Sequence, residues 1–170
     1  MHKSFMVKDQ SLHEPDISVR CHLPSPALAG YVTFYYFVET DGGFADFLYP
    51  EWGNVRFALS GEWFVEMPGY PLFTPQDAVL YGPTDRHGAV TTPGGKCFGF
   101  GLTPIGWHRL IGGDASKMAN QVTHLGGALG ADGDALRAAI IADASEADIV
   151  ARIEQLVLAR LHTRPAVSPQ

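Results

Sequence analysis

The residues that could do chemistry in this chain are seven histidines, two cysteines and a handful of carboxylates, and their spacing suits none of the usual reactive centres. A metal ion inside a β-barrel needs three or four converging ligands, which shows in sequence as closely spaced histidines, a carboxylate and a later histidine. His2, His13, His22, His87, His108, His124 and His162 contain no short-spaced pair, so neither a metal nor another cofactor is expected. A nucleophile elbow needs Gly-x-Ser-x-Gly at a strand-to-helix turn, whereas Leu59-Ser60-Gly61 lacks the first glycine and reads as a hairpin. Gly99-Phe100-Gly101 misplaces the third glycine of a dinucleotide loop and lacks a surrounding βαβ unit. Glu62 and Glu66 fall on one face of a strand, which reads as a solvated face. No catalytic residue is expected, and the chain is read as a non-enzyme.

What does stand out is an aromatic load between Phe34 and Phe100, together with one pointed cation. Large rings either fill a barrel as solid core or line a cavity that grips a small organic molecule. Arg56 lies in a strand where Val55, Phe57 and Leu59 face one way and Asn54, Arg56 and Ala58 the other. Two readings of it stand: an anion anchor in a lumen, or an ordinary exposed arginine on the outer face.

The elements that would position these residues divide into a strand-rich front and a helical back. Short runs rich in Val, Phe, Tyr and Thr, punctuated by glycine and proline turns, predict strands over 17–23, 30–39, 44–49, 54–59, 62–67, 78–81, 88–92 and 96–102. Without long crossover helices, such strands predict a jelly roll or small barrel, not a parallel sheet. Pro104 opens a helix that Gly112-Gly113 stops, and a second helix starts near Asp132 or Asp134. Ser145 with Asp148 makes a capping-box-like start to a last helix, in which Ile149, Ile153, Leu156, Val157 and Leu161 share one apolar stripe. From His162 onward the proline-rich text reads as a linker or tail.

Composition narrows the possibilities further. Of 170 residues, 46% are hydrophobic and 18% charged, which fits a single domain over 1–163, with barrel at about 17–103, helices at about 104–162, and 164–170 as linker. Twelve basic against eighteen acidic residues give a net charge of −6, with no surplus for neutralising nucleic-acid phosphates. Two distant cysteines, no secretory leader in the first ten residues and no apolar run long enough for a bilayer predict a cytoplasmic protein.

Leu48-Tyr49-Pro50-Glu51-Trp52-Gly53-Asn54-Val55-Arg56-Phe57-Ala58-Leu59-Ser60-Gly61 resembles a phrase of the amino-terminal sensory domains of AraC-type transcription regulators. Leu23-Pro24-Ser25-Pro26-Ala27-Leu28 before the strand Tyr31 to Val38, then Leu80-Tyr81-Gly82-Pro83, then Phe98 to Trp107, agree with it in order. The resemblance runs from about Leu23 to Leu161. It implies an α+β, mainly β fold, a cupin-like barrel or jelly roll followed by a helical subdomain, which senses an effector or pairs subunits. It further implies a homodimer, no membrane, and DNA contact only through a carboxy-terminal helix-turn-helix domain absent from this chain. On that reading Tyr35, Arg56, Trp63, Tyr81 and Phe100 line the pocket, if strand phase turns them inward. Ile149, Ile153, Leu156, Val157 and Leu161 offer a dimerisation face, with packing onto their own barrel as the alternative. Rival readings are a stand-alone cupin-like enzyme, a metal-free small-molecule-binding protein and a purely structural dimerisation module.

Overall fold

The computed structural model describes residues 15–70, 78–141 and 145–164; the end of the expected tail, 165–170, lies outside them. Among the described residues the strands are β1 (Ile17–His22), β2 (Val32–Thr40), β3 (Phe44–Leu48), β4 (Asn54–Gly61), β5 (Phe64–Glu66), β6 (Ala78–Tyr81), β7 (Gly88–Thr92), β8 (Gly95–Leu102) and β9 (Val122–His124). They form a six-stranded sheet in the order β1-β2-β8-β4-β6-β9 and a three-stranded sheet in the order β3-β7-β5, every pairing antiparallel. From β2 to β8 each successive strand changes sheet, which is how a jelly roll winds its two sheets around one interior. The fold is therefore mainly β and cupin-like, with helices at the back. All eight expected strands are present. The ninth, three residues long, owes its conformation to pairing with the β6 edge through Val79–His124, Leu80–Thr123 and Tyr81–Val122.

The helical back begins where Thr103 caps α1 (Pro104–Gly106), its hydroxyl accepting the Gly106 N–H at 2.9 Å. The chain continues as a wider π-helical turn over Trp107–Ile111, closed when Gly112 N–H donates to Trp107 O. Gly112, at φ 83°, stops it, as glycine there predicts. A short α2 (Leu125–Leu129), not expected from sequence, precedes α3 (Ala131–Ile141) and α4 (Glu146–Thr163). Ser145 caps α4 by accepting the Asp148 N–H at 3.2 Å while its own hydroxyl donates to the Asp148 carboxylate at 2.7 Å.

The apolar stripe of α4 is spent inside its own chain, which corrects its expected use as a dimerisation face. Ile149, Ile153, Val157 and Leu161 are all buried and join Tyr35, Phe37, Val55, Phe57, Phe98 and Phe100 in one continuous core. Only Leu156 is half-buried, and it borders a small cavity between helices and sheet. An apolar stripe has the same sequence pattern whether it meets its own sheet or another subunit; the barrel's helix-facing rings claim this one. Truncating such a fully buried residue costs about 2–5 kcal/mol.

Electrostatics brace the start of α4. Glu146 accepts from Arg20 of β1 at 2.7 Å, with Lys96 of β8 at 2.8 Å and His22 at 3.5 Å. The Arg20 hydrogen bonds, followed by Lys96, hold its carboxyl down at about 2 against an ordinary 4.5. A depressed folded value means stabilisation that is fully present above about pH 4.5 and lost as pH falls towards 2. Arg20 is 38% exposed, so solvent screening reduces the effect to about 1 kcal/mol. Urea melts of Glu146→Gln should show that loss at pH 7, and the gap from wild type should close by about pH 2.

Candidate functional site

A cavity of about 380 Å³ lies between the two sheets, within the size range of small-molecule pockets. Its walls come from one face of the larger sheet, including Tyr36, Val38, Arg56, Ala58, Val79, Tyr81 and Cys97. The smaller sheet and its approach contribute Phe44, Leu48, Trp63, Val65 and Val90. Strand pairing explains how this surface assembles. Tyr36 of β2, Gly99 of β8 and Arg56 of β4 form one row across three adjacent strands. With no side chain at Gly99, the Tyr36 ring lies over the central strand; an added Cβ would come within 2.3 Å of the Tyr36 hydroxyl. The same device recurs at Gly101, where an added Cβ would meet the Thr33 hydroxyl at 2.3 Å.

The ring crossing Gly99 completes a polar network at one end of the cavity. Arg56 Nε donates to the Tyr36 hydroxyl at 2.7 Å, and that hydroxyl donates to Asn54 Oδ1 at 2.7 Å. Arg56 Nη2 pairs with the Glu51 carboxylate, which also accepts from Asn54 Nδ2 at 3.3 Å. The guanidinium carbon sits 4.3 Å from the Tyr81 ring centre, a cation–π contact. The Arg56 side chain is only 13% exposed. Burial works against its charge, but Tyr36, Tyr81 and Glu51 outweigh that cost and raise its pKa well above the ordinary value.

Burial has the opposite consequence for the neutral groups around it. It pushes the Tyr36 and Tyr81 hydroxyls up, with Arg56 opposing, and lifts the Cys97 thiol to about 11. At neutral pH the Cys97 thiol stays protonated and is a poor nucleophile. Among the described residues no three His, Cys, Asp or Glu side chains gather closely enough to hold a metal ion. The arrangement can grip an apolar molecule along its length and hydrogen-bond one end of it.

Three of the five expected pocket residues, Arg56, Trp63 and Tyr81, line this cavity. Tyr35 and Phe100 do not, because they project from the opposite face of the same sheet. Tyr35 is fully buried beside Phe98 and Phe100, its hydroxyl held up first by burial and then by Glu154. Phe100 instead borders the helix-side cavity of about 140 Å³ with Leu136, Leu156 and Val157. Past the register shift between Val32 and Tyr35, Tyr36 and Val38 of β2 face the lumen together with Arg56 and Ala58 of β4, so Tyr36 takes the place expected for Tyr35. Tyr36, Glu51 and Asn54 were missed by sequence reasoning. The available signal was Gly99-Phe100-Gly101, which empties two positions on the lumen face of the central strand.

No family model and no curated protein sequence matches this chain. Among solved structures it is similar to the AraC-like transcriptional activator CuxR, at 18% identity and a TM-score of 0.42, over 91% of this chain and 65% of that one. A cupin superfamily protein from Desulfitobacterium hafniense DCB-2 matches at 14% identity and a TM-score of 0.40, over 51% of this chain and 77% of its own. The cupin_2 domain of an XRE-family regulator from Enterobacter cloacae matches at 14% and 0.39, over 51% and 97%. At these levels of likeness the fold description rests on the strand order of this chain itself.

The row through Gly99 makes one substitution informative. Gly99→Ala should displace the Tyr36 ring and destabilise the protein by about 1–3 kcal/mol, the usual range for overpacking. Thermal melting checks this, and Gly127→Ala, where an added Cβ meets nothing within 4 Å, is the control.

Proposed function

We propose that this chain is the effector-sensing domain of a transcription regulator of the AraC type, with the lumen between its sheets as the effector site. The observation that carries the reading is the cavity of about 380 Å³, walled by rings and branched aliphatics and furnished with one buried, hydrogen-bonded guanidinium. The ordered sequence likeness from Leu23 to Leu161 supplies the regulatory context. DNA recognition on this reading belongs to a helix-turn-helix domain outside these 170 residues.

The proposed mechanism is linkage. A guest that binds one arrangement of the barrel more tightly than another shifts the equilibrium by that difference in affinity, and no covalent step is needed. The lumen and the helices share the two faces of one sheet: Arg56 faces the guest, while its neighbours Val55 and Phe57 belong to the core containing α3 and α4. A guest that shifts β4 therefore acts on the packing of α4. The end of that helix is tied to the π-helical turn, because Arg109 donates to the Leu161 and Arg164 carbonyls at 3.1 and 3.2 Å. Arg164 donates in return to Ile111 O at 2.9 Å.

Differential scanning fluorimetry against a panel of small, largely apolar metabolites tests the reading. A guest at a hundred times its Kd adds about 2.7 kcal/mol and raises the melting temperature by several degrees. Ala58→Phe, which places a ring inside the lumen, should abolish that rise. Uniform indifference to the panel, or a shift that survives Ala58→Phe, would contradict an effector site here.

A further inference from the structure

We infer that Glu51 sets the specificity of the lumen, cancelling the charge of Arg56 so that the cavity takes neutral, mainly apolar molecules with one hydrogen-bond acceptor and rejects carboxylates and phosphates of the same shape. The inference rests on the effector-site reading above and specifies what that site accepts. A lone buried guanidinium is ordinarily an anion site, since it offers a full charge and a fork of donors. Here both are partly committed. Glu51, reaching in from the loop before β4, pairs with Nη2, and Tyr36 takes Nε. The Tyr81 ring covers the cation at 4.3 Å.

What remains for a guest is Nη1, the donor that neither Tyr36 nor Glu51 takes. It is a donor without a net field behind it. The other charged group on the cavity wall is Asp46, on exposed β3, and it adds a second negative charge. Glu51 thus cancels Arg56 beside the space a guest would fill, and the exposed Asp46 carboxylate on its wall offers no positive charge in exchange. An anion entering there sheds its hydration and meets no compensating charge, the most costly form of burial. A neutral carbonyl or amide keeps the Nη1 hydrogen bond and loses much less on leaving water. Trp63, Tyr36, Phe44 and the valines of the wall supply apolar contact for the rest of such a molecule.

Paired probes of matched shape test this directly: phenylacetamide against phenylacetate, and 2-naphthamide against 2-naphthoate, each titrated by calorimetry at neutral pH. Loss of binding in Ala58→Phe, which fills the lumen with a ring, reports that binding is in the lumen. The expected result is at least tenfold tighter binding of the amide than of its carboxylate. Glu51→Gln, which keeps a hydrogen-bonding partner but removes the charge, should improve carboxylate affinity at least tenfold and leave the amide nearly unchanged. Equal or tighter carboxylate binding by the wild type overturns the inference alone, and so does an unchanged ratio in a folded Glu51→Gln protein. If neither member of either pair shows binding that Ala58→Phe abolishes, the effector-site reading falls and takes the inference with it. The wild-type comparison needs no variant, so a Glu51→Gln protein that fails to fold still leaves a decisive result.

Discussion

A positive charge enclosed between two β-sheets must be answered from within the protein, and the lumen of this barrel is organised around that demand. An arginine 13% exposed has given up most of its water. It stays charged because Glu51 pairs with it, Tyr36 accepts from it and Tyr81 lies against it. Removing one partner from such a set leaves a buried charge unanswered, which costs far more than an exposed ion pair is worth. The network is also mutually fixing: Asn54 receives from Tyr36 and donates to Glu51, so none of the four side chains can turn without disturbing another.

That network depends on a detail of the backbone. Tyr36 reaches Arg56 by crossing β8 at Gly99, and Asn54 lies next to the gap left by Gly101. On the opposite face of the same strands Phe37, Phe57, Phe98 and Phe100 pack ring against ring, with Phe37 and Phe98 4.7 Å apart between centroids. One sheet thus carries two unlike surfaces, a solid aromatic core toward the helices and a hollowed, sparsely polar wall toward the smaller sheet. Because both are buried, the strands between them are the shortest physical connection from a lumen guest to α4.

This double burial also explains which parts of the structure were legible in the sequence. The strands could be read because turns such as Asp41-Gly42-Gly43 and Pro93-Gly94-Gly95 bracket them. The start of α4 could be read from Ser145, whose chemistry is local. The facing of β2 could not, since Phe34-Tyr35-Tyr36-Phe37 is aromatic at every position and period-two alternation disappears when both faces of a strand are covered. Arg56 could be placed on a strand, but its partner Glu51 lies in a loop and reaches it through tertiary geometry alone. Likewise the stripe Ile149, Ile153, Val157 and Leu161 is plain in sequence, and only packing decides that it faces inward.

The central claim, a buried and internally paired Arg56 facing the lumen on one side, can be measured without knowing any guest. In nitrogen-15 NMR the Arg56 Nε–H resonance, identified by its loss in Arg56→Lys, should exchange with water at least about a hundredfold more slowly than that of surface Arg86, which is 63% exposed. It should also shift when a small apolar molecule is added. An Arg56 signal that exchanges as fast as that of Arg86 would show the guanidinium open to solvent and would contradict the account.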